Sequence, residues 1–230
     1  MIGIIAAMQI ELLHLKGIME DVKCDNISGV EFINGKISGK EIVAAVCGVG
    51  KVFSAICAEA MILKYNPSVI VNIGVAGSLS KKLNTTDIAI AKSVVHHDLD
   101  TSPLGDPVGL ISGINIINID CDKDVVNLLE KSVNKLNINN VTGVIASGDQ
   151  FVATTERKNF IKENFDAVAC EMEGASIGHV CYVNNVKFGV LRAISDSADE
   201  GSDMLYEEFA PIAAKNSFEV IKNFIMDYNE

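Results

Sequence analysis

Basic side chains are scarce in this sequence. Its 230 residues include 19 lysines and arginines against 30 aspartates and glutamates, which gives a formal net charge of −11 at pH 7. A surface that binds a nucleic-acid backbone needs an excess of cationic side chains to displace the counterions of the phosphates. The composition therefore argues against nucleic acid as a partner and favours an acidic cytoplasmic protein.

Paired cysteine spacings and long apolar runs are also missing. None of the six cysteines belongs to a Cys-x-x-Cys motif, so we expect buried, reduced thiols and neither a disulfide framework nor a zinc site. The longest uncharged stretch, residues 65–80, contains a proline, two asparagines and two glycines, which is not typical of a membrane span. The N-terminal apolar run has no basic leader and meets Glu11 too early for a signal peptide. We therefore expect no contact with a membrane.

Apolar segments of strand length alternate with helical patterns along the whole chain. The segment Ser38-Gly39-Lys40 separates two predicted strands as a tight hairpin, whereas most other connections have the pattern of helical crossovers. This mixture predicts a single three-layer α/β/α domain over residues 1–230, with a mixed central sheet. The predicted strands span 2–7, 30–37, 41–47, 69–74, 87–95, 141–147, 167–170 and 187–194, and the predicted helices span 9–19, 52–65, 122–136, 156–164, 174–183 and 206–228.

The last predicted helix has an apolar stripe near the 3.6-residue period, and we expect that stripe to be buried. Pro211 must then lie in the first turns of the helix or produce a kink, because proline removes an N–H donor. The stripe consists of Phe209, Ile212, Ala213, Val220 and Phe224.

Carboxylates follow three of the predicted strands. Glu11 comes after the first strand, Glu171 and Glu173 come after strand 167–170, and Asp196 follows strand 187–194. A carboxylate at the mouth of an apolar strand is costly to bury without a partner or a function. The pattern predicts an active site that acts on a ligand rich in hydrogen-bond donors.

Two glycine-rich turns follow other predicted strands. Cys47-Gly-Val-Gly-Lys51 is not a phosphate loop, because Ala45 and Val52 stand where that motif needs a glycine and a serine or threonine. A turn that contacts a ligand and a plain turn both remain open for this segment. The turn Asn72-Ile-Gly-Val-Ala-Gly77 favours ligand contact, since ligands bind at the carboxyl ends of strands in open α/β sheets.

Three further features have competing interpretations. His96-His97-Asp98 suggests a metal site, but adjacent histidines point in different directions and no third ligand cluster accompanies them, which favours a loop or interface role. Phe151 is either a stacking partner for a flat base, with the Val152 backbone at the base edge, or a core residue. The irregular, glycine- and proline-rich segment 96–120 is typical of a functional loop or one that a partner covers.

Six short motifs occur in one order across nearly the whole chain, and together they resemble the 5′-methylthioadenosine/S-adenosylhomocysteine nucleosidases of the purine nucleoside phosphorylase superfamily. The resemblance implies a nucleoside phosphorylase-like fold, a homodimer, and hydrolysis of an adenine nucleoside to adenine and a 5-thioribose sugar. It implies no metal and no organic cofactor. The motifs are Met8-x-x-Glu11, Gly48-Val-Gly-Lys51, Gly74-x-Ala-Gly77, Ser147-Gly-Asp149, Glu171-Met-Glu173 and Arg192-Ala-Ile-Ser-Asp196.

The resemblance also implies a role for each matching residue. Glu11 would activate the attacking water, and Asp196, steadied by Ser195, would protonate the purine at nitrogen 7. Glu173 and the Met172 backbone would hold the ribose hydroxyls. Further substrate contacts would come from Phe151, Val152, Met8, Val49, Gly77 and Arg192.

The sequence departs from the family at two places. Val75 replaces a small hydroxyl residue beside the water or phosphate site, and the loop 101–110 lacks the usual aromatic residues. In the family this loop helps to cover the 5′-alkylthio pocket of the neighbouring subunit. The preference among methylthioadenosine, S-adenosylhomocysteine and 5′-deoxyadenosine therefore remains open. A phosphorylase and a non-catalytic nucleoside-binding protein are the alternatives. Glu11 favours the hydrolase over the phosphorylase, because a carboxylate beside the attack site repels phosphate and activates water, and Val75 indicates the same. The set of Glu11, Glu173 and Asp196 argues against a non-catalytic protein.

Overall fold

The computed structural model describes residues 1–229. The strands are β1 Ile2–Ala6, β2 Glu20–Ile27, β3 Val30–Ile37, β4 Lys40–Val46, β5 Val69–Ser78, β6 Ile88–His96, β7 Ile119–Asp120, β8 Asn140–Ser147, β9 Ala167–Glu171 and β10 Lys187–Asp196. The α-helices are α1 Gln9–Lys16, α2 Lys51–Tyr65, α3 Lys123–Asn134, α4 Thr155–Phe165, α5 Gly174–Val183 and α6 Ser202–Asp227. No helix in this part of the chain is long and apolar enough to cross a membrane.

The ten strands form one mixed sheet. Its order is β10-β6-β8-β9-β5-β1-β4-β3-β2, with β7 paired to β6. β1 runs parallel to β4 and β5, whereas β3 is antiparallel to both of its neighbours. β10 pairs with β5 as well as with β6, so β5, β9, β8, β6 and β10 close on themselves.

Apolar clusters cover both faces of the sheet. The neighbouring β1 residues Ile4 and Ile5 belong to different clusters, as the alternation of side chains along a strand requires. The Ile5 cluster includes α2 and α5, for instance through Met61, and the Ile4 cluster includes α1, α3 and α6, for instance through Phe224. The predicted three-layer α/β/α architecture with a mixed sheet is confirmed.

The predicted hairpin between β3 and β4 is also confirmed. Its two loop residues, Ser38 and Gly39, have φ angles of 49° and 79°. Two positive φ angles in a two-residue loop are the geometry that matches the twist of paired antiparallel strands. Lys40, which we assigned to the turn, is the first residue of β4.

Strand β2 was missed by the sequence analysis. Its sequence, Glu-Asp-Val-Lys-Cys-Asp-Asn-Ile, has no apolar alternation because this edge strand is largely exposed on both faces. The expectation that all six cysteines are buried was wrong for the same reason, since Cys24 is exposed on β2. The other five cysteines are buried free thiols. β7 was also missed, and its two residues are too few to form a pattern.

Helix α6 differs from its prediction at its first turns. It begins at Ser202, four residues early, so Pro211 is its tenth residue and not part of the first turns. Pro211 is exposed, where water can bond to the carbonyl that its missing N–H leaves free. Ile212, which we placed in the buried stripe, is 49% exposed. The buried stripe instead consists of Ala210, Ala213, Ala214, Ser217, Phe218, Val220, Ile221, Phe224 and Ile225.

The sheet brings the predicted carboxylates to one edge. β1, β5 and β10 run parallel, with Ala6 opposite Ile73 and Asp196 opposite Gly77. Gly77 also pairs with Cys170, near the end of β9. Because these strand ends are neighbours, the segments that follow them meet in space.

Candidate active site

A cavity of about 320 Å³ lies where these strand ends meet. That volume is in the range of pockets that hold a small ligand. Arg192 is the one predicted substrate contact that does not line it. None of the described lining residues is a lysine or arginine. The lining residues are Ala7, Met8, Glu11, Val49, Val75, Ala76, Gly77, Gln150, Phe151, Val152, Cys170, Glu171, Met172, Glu173, Ser195, Asp196 and Tyr206.

Glu11 is held by backbone N–H groups at the start of α1. Its Oε2 accepts hydrogen bonds from the N–H groups of Ala7 and Met8, each at 2.9 Å, and its Oε1 accepts one from Val75 at 3.2 Å. Burial raises the pKa of Glu11 above its ordinary value, although the Arg192 charge and these N–H groups oppose the increase. Glu11 is therefore a fixed carboxylate that is more basic than one in water.

Two glycines leave room for the carboxylates. A Cβ atom on Gly74 would lie 2.8 Å from Glu11 Oε1, and a Cβ atom on Gly77 would lie 2.8 Å from Asp196 Oδ1. Both distances are shorter than real contacts of a Cβ atom. The glycine turn at the end of β5 is therefore required for the two carboxylates to approach the same cavity.

Arg192 lies behind the cavity wall. It is 1% exposed, and its guanidinium donates to a carboxylate oxygen of Glu171 and to the side-chain oxygen of Asn72. Glu173 Oε2 lies 3.6 Å from the same guanidinium nitrogen. Our prediction of Arg192 as a substrate contact does not fit this geometry, because its charge is used by buried side chains of the protein.

Glu171 is the main partner of Arg192. Its oxygens also accept from the Ser147 hydroxyl and from the N–H groups of Glu173 and Gly174, at 3.0 and 2.8 Å. Burial opposes ionisation of Glu171, but Arg192 and these donors outweigh it and hold the pKa of the carboxyl below its ordinary value. Glu171 is a permanent anion whose oxygens are engaged by the protein.

Glu173 has the opposite electrostatic environment. Burial, and then the negative charge of Glu171, raise the pKa of Glu173 to about 7. Its Oε1 accepts a hydrogen bond from the Gly50 N–H at 2.8 Å. The turn Gly48–Lys51 is therefore part of the site: Gly50 contacts Glu173, and Val49 lines the cavity.

The Asp196 carboxylate accepts hydrogen bonds from its near neighbours in the chain. Ser195 Oγ donates to Asp196 Oδ2 at 2.8 Å, and the Ala198 N–H donates to Oδ1 at 2.8 Å. Burial raises the pKa of Asp196 above its ordinary value, although these two donors oppose the change. Both of these donors are neutral, whereas the Arg192 charge opposes protonation of Glu11, so Asp196 is the better suited of the two to hold a proton.

Phe151 forms an aromatic wall with a residue that the sequence analysis missed. Phe151 is 45% exposed and lines the cavity, which excludes the alternative that it is a core residue. Its ring meets the Tyr206 ring edge to face, with centroids 5.7 Å apart. The Tyr206 hydroxyl donates to Met8 Sδ at 3.0 Å. The sequence analysis did not select Tyr206 because it placed this residue first in the last helix. At that position the apolar pattern does not show on which face of the helix the side chain lies.

The two adjacent histidines lie at the end of β6. Both are buried, and burial lowers the pKa of each to about 4. Within residues 1–229, no three His, Cys, Asp or Glu side chains are grouped so that they could hold a metal ion. Asp98 forms a 2.6 Å ion pair with Lys51, the first residue of α2.

Comparison with known proteins gives consistent results. The family model of the phosphorylase superfamily matches residues 1–226. The 5′-methylthioadenosine/S-adenosylhomocysteine nucleosidase of Staphylococcus haemolyticus (strain JCSC1435) is 37% identical over 226 residues, 98% of this chain and 99% of the relative. The crystal structure of the Neisseria meningitidis nucleosidase of the same name, in complex with methylthio-immucillin-A, has a TM-score of 0.96 at 30% identity, with 99% of each chain covered. A futalosine hydrolase from Helicobacter pylori strain 26695 has a TM-score of 0.94 at 38% identity, with 99% of this chain and 97% of that chain covered.

Proposed function

Since this chain belongs to the phosphorylase superfamily and, within it, to the 5′-methylthioadenosine/S-adenosylhomocysteine nucleosidases, we propose that its cavity hydrolyses the N-glycosidic bond of these two nucleosides. The products are adenine and the 5-thioribose sugar. The observation that supports this best is the meeting of three buried carboxylates in different electrostatic environments, Glu11, Glu173 and Asp196, around one cavity. Two carboxyls whose environments differ can serve as acid and base in one reaction.

Glu11 and Asp196 divide the proton transfers. Glu11 is the base that takes a proton from water, because the Arg192 charge and the backbone N–H groups of Ala7, Met8 and Val75 favour its anion. Asp196 is the acid that protonates the purine at nitrogen 7, and Ser195 orients it. A protonated purine leaves as neutral adenine, while nearby carboxylates stabilise the positive charge that develops on the ribose.

The remaining walls bind the ligand. Glu173, at the N-terminus of α5, accepts hydrogen bonds from the ribose hydroxyls together with the Met172 backbone. The exposed face of Phe151 stacks on adenine, and the backbone of Val152 pairs with the base edge. The other proposed contacts line the same cavity, and they are Met8, Val49 and Gly77.

Water, and not phosphate, is the proposed nucleophile. A phosphate site needs cations or donors that favour negative charge, and no described lysine or arginine lines the cavity. Lys51 follows the glycine turn that contains Val49, but its charge is paired with that of Asp98. Val75 offers a backbone N–H to Glu11 and has no side-chain hydroxyl for an anion.

The experiment is an adenine-release assay on the purified chain with methylthioadenosine, S-adenosylhomocysteine and 5′-deoxyadenosine, in buffers with and without phosphate. We expect adenine and the free sugar at the same rate in both buffers. Strict dependence on phosphate, with a sugar phosphate as product, would identify a phosphorylase. Binding of the nucleosides without release of adenine would identify a non-catalytic protein.

We also propose that the protein is a homodimer. Helix α2 exposes apolar side chains, among them Val52 and Phe53, close in sequence to the cavity residue Val49, and the loop residue Leu104 is 85% exposed. Solvent-exposed apolar patches of this kind are typical of protein–protein interfaces. In this arrangement the loop 101–110 of one copy covers the 5′ end of the neighbour's cavity. Light scattering after size exclusion tests it, with Phe53→Asp expected to give monomers.

We propose that residues 1–230 form one domain, because strands from both ends of the chain share one sheet and α6 packs back on it. We propose a cytoplasmic location, since the described cysteines are free and five of them are buried. We propose that the reaction needs no metal and no organic cofactor, which activity in the presence of a chelator tests.

A further inference from the structure

Helix α2 is capped by a residue from a distant segment. Its own N-cap position is Gly50, which has no side chain. Asp149 Oδ1 accepts a hydrogen bond at 2.7 Å from the N–H of Lys51, 98 positions earlier in the chain. Asp149 does not itself line the cavity, but the next three residues, 150–152, do. The cap therefore joins two walls of the site.

Asp98 holds this cap in place. Its Oδ2 accepts from the Asp149 N–H at 2.9 Å, and its Oδ1 lies 2.6 Å from Lys51 Nζ. The three residues therefore form a closed ring of contacts between the ends of β4, β6 and β8. Burial opposes ionisation of Asp98, but Lys51 outweighs it and holds the pKa of the carboxyl below its ordinary value. This ring gives the His96-His97-Asp98 motif a structural role.

The ring bears directly on a carboxylate of the site. The Lys51 N–H points to Asp149, and the preceding N–H, that of Gly50, donates to Glu173 Oε1 at 2.8 Å. Gly50 has a φ of 100°, and a Cβ atom there would lie 2.8 Å from Asp149 Oδ1. The two peptide groups on either side of the Gly50 Cα atom are thus each held by a carboxylate, one by Glu173 and the next by Asp149. Under the proposed function, Glu173 binds ribose.

We propose that Asp149, held by Asp98 and Lys51, is a positioning residue that sets the Gly50 N–H against Glu173 and so orients the ribose-binding carboxylate. This inference rests on the proposed role of Glu173. It predicts that loss of the Asp149 cap weakens the contacts that a ligand makes through its ribose hydroxyls. The contacts to the purine should stay intact.

Calorimetric binding tests this with two ligands that are not hydrolysed. One is the 7-deaza analogue of methylthioadenosine, which lacks the nitrogen that the acid protonates, and the other is the same compound without its two ribose hydroxyls. In Asp149→Ala we expect the dissociation constant of the first ligand to rise about fivefold to tenfold, the size of a lost helix cap. We expect the second ligand to change by less than about twofold. Asp149→Asn keeps the accepting oxygen and should bind both ligands as the unmodified protein does.

The matched control is Asp122, which caps α3 away from the cavity. Its Oδ1 accepts from the N–H groups of Asp124 and Val125, at 3.0 and 3.1 Å, and its Oδ2 lies 3.5 Å from Lys187. Asp122→Ala removes a side-chain helix cap as Asp149→Ala does, together with the Lys187 ion pair, which has no counterpart at Asp149, so it should lower the melting temperature at least as much. It should leave both dissociation constants unchanged.

Three results would overturn the inference: equal weakening of both ligands in Asp149→Ala, failure of Asp149→Asn to restore binding, or the same pattern in Asp122→Ala. Asp98→Ala should add little to the effect of Asp149→Ala on binding, since both variants break the same ring of contacts.

Binding of these two ligands does not depend on turnover, so it is measured independently of the proposed hydrolysis. Failure of the unmodified protein to release adenine would refute the proposed function, while the binding pattern still decides the role of Asp149. If the unmodified protein binds neither ligand, both proposals fall.

Discussion

Glu171 and Glu173 lie two positions apart and have opposite electrostatic properties. Glu171 also lines the cavity, but its oxygens are engaged by the layer behind the cavity wall, where Arg192, Ser147 and two backbone N–H groups donate to them and lower its pKa. Glu173 belongs to the cavity wall, where burial and the Glu171 charge raise its pKa to about 7. This difference shows that burial alone does not determine whether a carboxyl group is ionised. The number and charge of its hydrogen-bond and ion-pair partners determine its protonation state.

The two layers therefore have different tasks. In the layer behind the cavity, the charge of Arg192 is paired with that of Glu171 and further hydrogen bonds saturate the pair. Such a buried ion pair keeps its charges fixed. The wall keeps carboxylates that are incompletely paired, and such groups change protonation near neutral pH. Substitutions in each of the two layers test this contrast.

Removal of an acid or base from the wall should have the largest effect. We expect Glu11→Gln and Asp196→Asn each to lower kcat by about a thousandfold, the usual contribution of a general acid or base. Binding of the 7-deaza ligand should change little, because this ligand lacks the nitrogen 7 that Asp196 contacts and neither variant removes a proposed ribose contact. The measurement is adenine release at saturating substrate. An unchanged kcat in either variant would remove that residue from the proposed proton transfers.

A break in the layer behind the cavity should act on stability. Arg192→Met leaves the anion of Glu171 buried without its cation, and we expect a loss of about 3–5 kcal/mol in the free energy of unfolding. Chemical denaturation measures this loss. The double variant Arg192→Met, Glu171→Gln removes both charges and should recover much of the stability. If the single variant unfolds like the unmodified protein, the charge of Glu171 is not held by Arg192.

The pH dependence of stability gives the finest comparison. The folded pKa of Glu173 is raised from 4.5 to about 7, so its contribution to stability is full below pH 4.5 and is lost as the pH rises through 7. Between pH 6.5 and 8 this loss amounts to about 1 kcal/mol. The pKa values of His96 and His97 are lowered from 6.5 to about 4, and they change stability in the opposite sense. Because an unfolded histidine is still half protonated at pH 6.5, this effect extends into the same pH range and opposes that of Glu173.

Denaturant unfolding of the ligand-free protein at pH 6.5 and at pH 8 checks this. The difference in the free energy of unfolding between the unmodified protein and Glu173→Gln should change by about 1 kcal/mol over that range, since a glutamine does not titrate and the histidines are common to both proteins. Glu171→Gln should move this change to lower pH, because the Glu171 charge is one cause of the raised pKa of Glu173. A difference that stays constant from pH 6.5 to pH 8 would assign the titration to another group.

The fold was predictable where local pattern and final environment agree. β1 and the first part of β5 are continuous apolar runs, and both are buried on two faces of the sheet. β2 was not predictable, because an exposed edge strand needs no apolar alternation and is held by its pairing with β3. The early start of α6 was equally hidden, since the Asp and Glu residues of its first turns are exposed and give no buried stripe.

The site was predictable to a similar degree. The sequence analysis selected Glu11, Glu173 and Asp196 because acidic residues at strand ends are unusual, and the resemblance ordered them into proposed roles. It did not find Tyr206, and it placed Arg192 at the substrate. Neither error had a local signal, because the surroundings of Arg192 on β10 and of Tyr206 in α6 depend on partners that other segments supply.

The α/β layers, the family and the identity of the acidic residues at the strand ends follow from residue types and their order along the chain. The folded arrangement determines which of these carboxylates has a charged partner, which has a pKa raised toward 7, and from which backbone N–H each accepts a hydrogen bond. Desolvation and Coulomb interactions depend on distances, and Arg192, Glu171, Gly50 and Asp149 come within a few ångströms of their partners only after the chain has folded.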